Sequence, residues 1–463
     1  MIPFHPITLD DRPTIERYTM AAELQNCDWA FANIYCWQGL YGSECAEWEG
    51  MLFIRFHIDG GSQLAYMQPV GEVNWEQAIS LLQADAAQQG QPLRLVGLTP
   101  TAQEALQTLD TVQFAYDSER AMCDYVYRRE DLCSLRGKHY QPKRNHLNRF
   151  RNTYPNYRYE PLAEHHFEAC LELVQAWCRQ HDGCQGAALQ AELEAMQRAF
   201  AHFEALGLQG GCLYVEEALA AFTYGSAVSH DTFVIHIEKA DTRYEGAFTM
   251  INHAFACALD ERYCWINREE DLGLEGLRKA KLSYYPSHLV EKIAARALSE
   301  EAVACRRLWQ VCFPSDEASF VDKFLIRHFS PARMLAIRHE QEVVAMAHLI
   351  PFRCQWGTIG YLYGVATAPE HMGKGLATTL IQQAIDRATE EGMAAVVLIP
   401  GDVSLRHFYA KRGFVGELPI RLLAPYEFDF GTGETTRDIA MWHFCGPEQP
   451  LPEILPCQLI LDE

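Results

Sequence analysis

Between Tyr361 and Phe414 the chain reads as strand, glycine turn, helix, strand, helix, and this order restricts the fold more than any other stretch. It opens on the apolar run Tyr361-Leu362-Tyr363-Gly364-Val365-Ala366, breaks at Pro369, and turns through Met372-Gly373-Lys374-Gly375-Leu376-Ala377. Gly375 to Glu390 has helical spacing, with Leu376, Leu380, Ile381, Ala384, Ile385 and Ala388 on one face. Ala394 to Ile399 is continuously apolar, as a strand covered on both sides must be. Val403 to Lys411 predicts a second helix, stopped by Gly413 at the position of a C-terminal glycine.

The flanks extend this pattern. Arg333–Arg338 and Glu342–Phe352 read as strands paired around His339-Glu340-Gln341, Gly357–Val365 as a third strand, and Ile420–Leu423 and Asp438–His443 as late strands. Arg307–Phe329 has helical spacing with the start signal Phe313-Pro314-Ser315-Asp316 inside it. A seam at Glu300–Cys305 places the main boundary near residues 293–303. Upstream, Met51–Ile58 and Gln63–Met67 predict strands around Asp59-Gly60-Gly61-Ser62, Trp75–Gln88 a helix and Leu93–Leu98 a buried strand. Ala191–Leu206 predicts a helix, Gly211–Val215 and Ala220–Tyr224 a hairpin, Thr232–Glu238 a strand, Ala247–Leu259 a helix and Tyr263–Ile266 a short strand. From Gly211 onward this order echoes the C-terminal part. The expected class is α/β (α+β), with mixed central sheets flanked by helices.

A length of 463 residues argues for two or three domains. The start Met1-Ile2-Pro3-Phe4-His5-Pro6 has no basic or apolar leader, and no apolar run reaches membrane-helix length, so a cytoplasmic protein without a membrane span is expected. The 16 cysteines are scattered without a Cys-x-x-Cys pair, which favours reduced thiols and argues against a structural metal. A net charge of −22 opposes general affinity for nucleic acid or anionic membranes. Arg128 to Arg158 is locally basic, through Arg128, Arg129, Arg136, Lys138, Lys143, Arg144, Arg149, Arg151 and Arg158. It reads either as a solvated face or as an anion site.

Gly373 and Gly375 precede a helix whose first N–H groups lack internal partners, and the absence of Cβ atoms lets an anion approach those groups. Alone, such a turn could equally be tight packing. Val365-Ala366-Thr367-Ala368-Pro369-Glu370 followed by Gly373-Lys374-Gly375-Leu376-Ala377, and then Asp402-x-x-Leu405-x-x-Phe408-Tyr409-x-x-x-Gly413-Phe414, resemble in order and spacing the GCN5-related N-acetyltransferase superfamily. Met372 stands where that family carries Arg or Gln, and Asp402 and Leu405 replace its Asn and Ala. The resemblance implies acetyl-CoA along strand 361–366, with contacts from Val365, Ala366, Gly373, Lys374, Gly375, Leu376, Ala377, Asp402 and Phe408. It also implies that Tyr409 protonates the departing thiolate; a core aromatic is the other reading of this residue. An amine acceptor needs a base, and the sequence offers only His348 and Glu370, neither of them compelling. Segments 353–357 and 425–435 are the expected acceptor walls.

In the N-terminal region, Leu135-Arg136-Gly137-Lys138, Lys143 to Phe150, His236-Ile237-Glu238-Lys239-Ala240-Asp241 and Asn267 to Pro286 resemble the phosphatidylglycerol lysyltransferase C-terminal domain family over residues 1–292. That family is built from two acetyltransferase-like folds in tandem, so the resemblance implies three such folds in series: 1–127, 128–295 and 296–463. Its best-known members move an aminoacyl group from tRNA to a lipid head group. Glu238, Asn267, Asp271, Arg278 and Lys281 are the candidate substrate residues, with a structural ion-pair cluster as the other reading. Three functions follow. The first is an acetyl-CoA-dependent N-acetyltransferase acting on a small-molecule or peptide amine. The second is an aminoacyl-tRNA-dependent transferase, and the third a silent binder of CoA or another ligand. Acceptor and oligomeric state are not legible.

Overall fold

The computed structural model describes residues 2–180, 187–422 and 438–459. The chain forms two compact units, one of residues 1–114 with 118–297, the other of 115–117 with 298–463. Mixed sheets with helices against their faces make up both.

The first unit holds two sheets. One runs His5–Pro6, Glu44–Trp48, Met51–Ile58, Gln63–Met67, Arg94–Leu98, Ile293–Ala297. The other runs His288–Val290, Asp124–Arg128, Trp265–Asn267, Thr232–Ala240, Ala218–Ala227, Gln209–Val215, Tyr157–Pro161. Asp124–Arg128 therefore lies inside the second sheet, and Ile293–Ala297 returns to pair antiparallel with Arg94–Leu98 of the first. The helix Trp75–Gln88 buries Ala78, Ile79, Leu82 and Ala86, and Asn74 Oδ1 caps it by accepting from Gln77 N. Cys133, on the helix Arg129–Ser134, and Cys257, on the helix Ala247–Ala258, form a disulfide. This corrects the expectation of reduced thiols throughout: the two helices bring the Cα atoms to 4.9 Å, within bridging range.

The second unit's sheet runs Met334–His339, Glu342–Cys354, Gly357–Thr367, Ala395–Leu398, Asp438–Phe444, Val415–Leu422, Leu455–Leu459. The predicted helical stretch 307–329 is two helices, Glu300–Cys312 and Ala318–Arg327, because Pro314 interrupts the ladder. They bury Trp309, Val321 and Phe324 against one face of the sheet. The helices Leu376–Glu390 and Val403–Ala410 cover the other, through Leu380, Ala384 and Tyr409.

Hairpin, third strand, helix, parallel strand and helix follow one another in both units. In the first, Thr232–Ala240 pairs in parallel with Trp265–Asn267 at only Thr232, Phe233 and Val234. In the second, Gly357–Thr367 pairs with Ala395–Leu398 at only Ile359, Gly360 and Tyr361. In each, the longer strand runs on while its neighbour ends, which leaves a fork.

Candidate functional site

The fork of the second unit has a local cause. Met346 pairs with Ala366 and His348 with Tyr363, so Gly364 and Val365 both face the single Ala347. This bulge bends the strand away from its parallel neighbour. Gly364 has φ 60°, and a Cβ there would meet the Trp309 ring at 3.3 Å, so glycine is required on both counts. The register with Ala395–Leu398 ends at Tyr361.

The glycine turn lies past the end of this strand. Gly373 and Gly375 have φ 74° and 81°, and a Cβ built on either would meet nothing within 4 Å. The helix Leu376–Glu390 starts at Gly375 without a side-chain cap from any described residue, so its first amides lack intrahelical or capping partners there. A pyrophosphate fits such a cradle. Lys374 Nζ lies 3.2 Å from His371 Nδ1, and Met372 is exposed. Arg412, which the motif reading passed over, donates to Thr378 Oγ1 at 2.9 Å from Nε and lies 3.4 Å over the Phe408 ring. It brings a guanidinium to the first turn of that helix, near where Met372 supplies no charge. Its place in an unspecified motif position hid it.

Tyr409 is buried in the same cluster as Leu362 and Leu398, against which Val365 and Leu376 also pack, and its hydroxyl makes no hydrogen bond with any described residue. Burial pushes its pKa up to about 12 against the opposing charge of Arg412, so it stays protonated at neutral pH. Asp402 acts on its own helix: Oδ1 accepts from Leu405 N at 2.9 Å and from Ser404 Oγ at 2.6 Å. Leu376 and Val365 are partly buried beside Tyr409, whereas Ala366 is buried with Trp309 on the opposite face of the sheet.

His348 is also on that opposite face, among Trp309, Phe324 and Phe329, with Nε2 3.5 Å from Cys305 Sγ and Nδ1 unpartnered. Burial lowers its pKa to about 3. It is neutral but cut off from Tyr409 by the sheet. Glu370 is exposed in the turn Pro369–His371. The 353–357 turn joins the strands at their paired end, away from the fork, and the segment 425–435 lies outside the described residues.

The corresponding fork of the first unit differs at each point. Gly246 starts the helix Ala247–Ala258 with φ 89°, as Gly375 does in the second unit. Here a Cβ would meet His146 O at 3.3 Å and Phe150 Cβ at 3.4 Å, because the helix Gln141–Thr153 covers the turn. An ion pair fills the fork: Arg268 Nη2 donates to Glu238 Oε1 at 2.8 Å, and Asn252 Nδ2 to Glu238 Oε2 at 3.1 Å.

The loop after Trp265–Asn267 sends its side chains to separate partners. Asn267, fully buried, donates to Asp124 Oδ2 at 2.8 Å. Glu269, at φ 56°, accepts from Asn33 Nδ2 at 3.1 Å and lies 3.0 Å from His236 Nδ1, whose Nε2 is 2.8 Å from Ser226 Oγ. Both imidazole nitrogens are thus occupied. Asp271 accepts from Arg278 Nε at 2.8 Å, Tyr125 Oη at 2.5 Å and Gly273 N at 2.9 Å; the Arg278 hydrogen bonds hold its carboxyl well below the usual range. Lys281 Nζ donates to the carbonyls of Arg268, Glu269 and Glu270, which pins the loop from below. The five predicted residues surround one loop, then, each with its own partners. In the basic stretch, Lys143 bonds Ser283 Oγ, Arg144 the Gly137 carbonyl, Arg149 Glu245 and Arg158 Glu160.

Among the described residues no helix is long and apolar enough to cross a membrane. Residues 20–296 match the family model described as phosphatidylglycerol lysyltransferase, C-terminal, and residues 288–414 that of the acetyltransferase (GNAT) family. A conserved protein of unknown function from Bacteroides thetaiotaomicron is 43% identical; the match covers 64% of this chain and 100% of that one, with a TM-score of 0.62. A GNAT family N-acetyltransferase from Escherichia coli, solved with CoA, is 23% identical over 34% of this chain and 85% of its own, with a TM-score of 0.27. An uncharacterized protein of Mycoplasmoides gallisepticum is 23% identical over 199 residues, 41% of this chain, and the match spans 62% of that relative's length.

Proposed function

This chain belongs to the phosphatidylglycerol lysyltransferase C-terminal family, and we propose that it is an acyltransferase whose second unit moves an acetyl group from acetyl-CoA to an amine. The observation that carries this reading is the contrast between the glycine turns. Gly373 and Gly375 are open to an anion, while the turn at Gly246 is closed by His146 and Phe150. Acetyl-CoA supplies a thioester whose acyl carbon an amine can attack. The amides that open the helix Leu376–Glu390 would hold its pyrophosphate, with Lys374 in the turn and Arg412 at the first helical turn as cations. The backbone of 364–366, past the last residue paired with Ala395–Leu398, would take the pantetheine amides. Tyr409, protonated and without a competing partner, would give its proton to the departing sulfur. No described residue is assigned as base. Thioester cleavage, followed as free thiol over a panel of primary amines, tests the reading. Turnover of at least one amine is expected; acetyl-CoA binding without cleavage over the panel would overturn it and leave a binding protein.

A second reading places aminoacyl-tRNA-dependent transfer in the first unit. It is favoured by the family match and by Arg128, Lys138 and Arg151, which remain exposed on an otherwise acidic chain. Binding of tRNA that weakens steeply with salt would support it, and no binding at low salt would remove it.

A further inference from the structure

We propose that His5, Asp11 and Cys45 of the first unit bind a zinc-class divalent cation, with a fourth position open to water. The strand His5–Pro6 pairs antiparallel with Glu44–Trp48, which sets His5 directly opposite Cys45, and the turn Leu9–Asp11 brings Asp11 back to His5. His5 Nε2 lies 2.9 Å from Asp11 Oδ1 and 3.7 Å from Cys45 Sγ, and the three ligand atoms fall within 4.8 Å of one another. Zinc bonds of about 2.0 Å to nitrogen and oxygen and about 2.3 Å to sulfur set tetrahedral neighbours about 3.3 Å (N to O) and about 3.6 Å (N to S) apart. The ion therefore fits with shifts of a few tenths of an ångström. A thiolate and an imidazole beside one carboxylate select zinc over magnesium or calcium, which take oxygen ligands.

Each ligand is already held in place. Asp11 Oδ2 accepts from Thr8 N at 2.8 Å and from Thr8 Oγ1 at 2.9 Å, which leaves Oδ1 for the site. The His5 ring also hydrogen-bonds the Pro3 backbone, and Cys45 is buried in the core. Outer partners of this kind orient metal ligands. The His5 side chain is 52% exposed, so an ion can enter from solvent and keep a water. Two other groups of ligand-bearing side chains among the described residues each hold a cation of their own. Lys292 Nζ stands 2.8 Å from Asp124 and 3.3 Å from Glu270 in the group with Cys27, and Arg158 Nε donates to Glu160 at 2.7 Å in the group with His165 and His166. Among the described residues no lysine or arginine bonds a ligand atom of the His5 group. His5 and Cys45 are 40 positions apart, so no short spacing announces the site. A bound ion would tie the two-residue first strand to its sheet. The proposal does not depend on acetyl-CoA binding in the second unit.

Titration of the chelator-stripped full chain with Zn²⁺, and with Co²⁺ as a spectroscopic probe, tests the site. A one-to-one complex of micromolar or tighter affinity is expected, with the near-ultraviolet charge-transfer band of a cobalt–thiolate bond and no displacement by excess Mg²⁺. Cys45→Ser should abolish that band. His5→Ala, at an exposed position, should weaken Zn²⁺ about tenfold or more and remove the rise in unfolding temperature that Zn²⁺ gives the unsubstituted chain. His5→Ala decides alone should Cys45→Ser not fold. Cys27→Ser, in the cluster that Lys292 fills, should change neither readout. Absence of binding at micromolar metal, binding without the thiolate band, or a complex that Cys45→Ser and His5→Ala leave unchanged would overturn the proposal. So would a band lost in Cys27→Ser alone, which would place the ion beside Lys292.

Discussion

Tyr409 and His348 are both buried and both lack a full set of partners, yet their surroundings assign them opposite parts. The Tyr409 hydroxyl bonds no described residue, as the proposed proton donor to sulfur requires. Tyr409→Phe should lower turnover about 100-fold or more while acetyl-CoA affinity, read by titration, stays within about twofold. Unchanged turnover would remove the acid. His348 has a structural part in an aromatic cage. Its imidazole is held at about 3 in the folded chain against an ordinary 6.5, so the unfolded chain takes up its proton first as pH falls. Its contribution is complete above about pH 6.5 and is lost towards 3, by about 1.4 kcal/mol per pH unit. Urea titrations at stepped pH should show this slope, and His348→Gln, which cannot titrate, should flatten it. Tyr409 was legible because its motif is local in sequence. The ion-pair cluster of Lys292 with Asp28, Asp124 and Glu270 was not, since Cys27 beside it and Lys292 are 265 positions apart and no spacing rule links them.

At the scale of elements, the turn and first helix of the second unit follow from glycine, apolar periodicity and Pro369, all short-range signals. The early chain carries no such signal. Phe31–Cys36 and Gln38–Tyr41 are single turns held by tertiary packing, which local propensity does not encode. Arg412 adds charge to the turn, so Arg412→Ala should weaken acetyl-CoA about tenfold with Tyr409-dependent turnover at saturation retained. The loop 267–273 is held by Lys281 and by the buried carboxylate of Asp271. Asp271 has a lowered folded pKa, so its contribution is present above the ordinary value near 4 and is lost as pH falls below it. Asp271→Asn should cost about 3 kcal/mol at pH 7 in urea unfolding, and its gap from the unsubstituted chain should shrink below about pH 4.

At the scale of the whole molecule, the chain repeats one strand–helix–strand order but keeps an open glycine turn in only one of the two repeats described. Sequence pattern showed the repetition. It could not show the closure of the turn at Gly246, because the covering helix Gln141–Thr153 comes from a distant basic stretch whose charges are largely spent on internal partners. On the proposed function, one acetyl-CoA per chain is expected. Calorimetric titration of acetyl-CoA into the full chain and into Gly375→Val tests this most directly. The valine meets no atom but must adopt a left-handed backbone, at about 1–2 kcal/mol, which distorts the cradle without disturbing the core. The account predicts one site per chain with micromolar to submillimolar affinity, weakened about tenfold or more by Gly375→Val. Two equivalent sites, no binding, or an affinity that Gly375→Val leaves unchanged would contradict it.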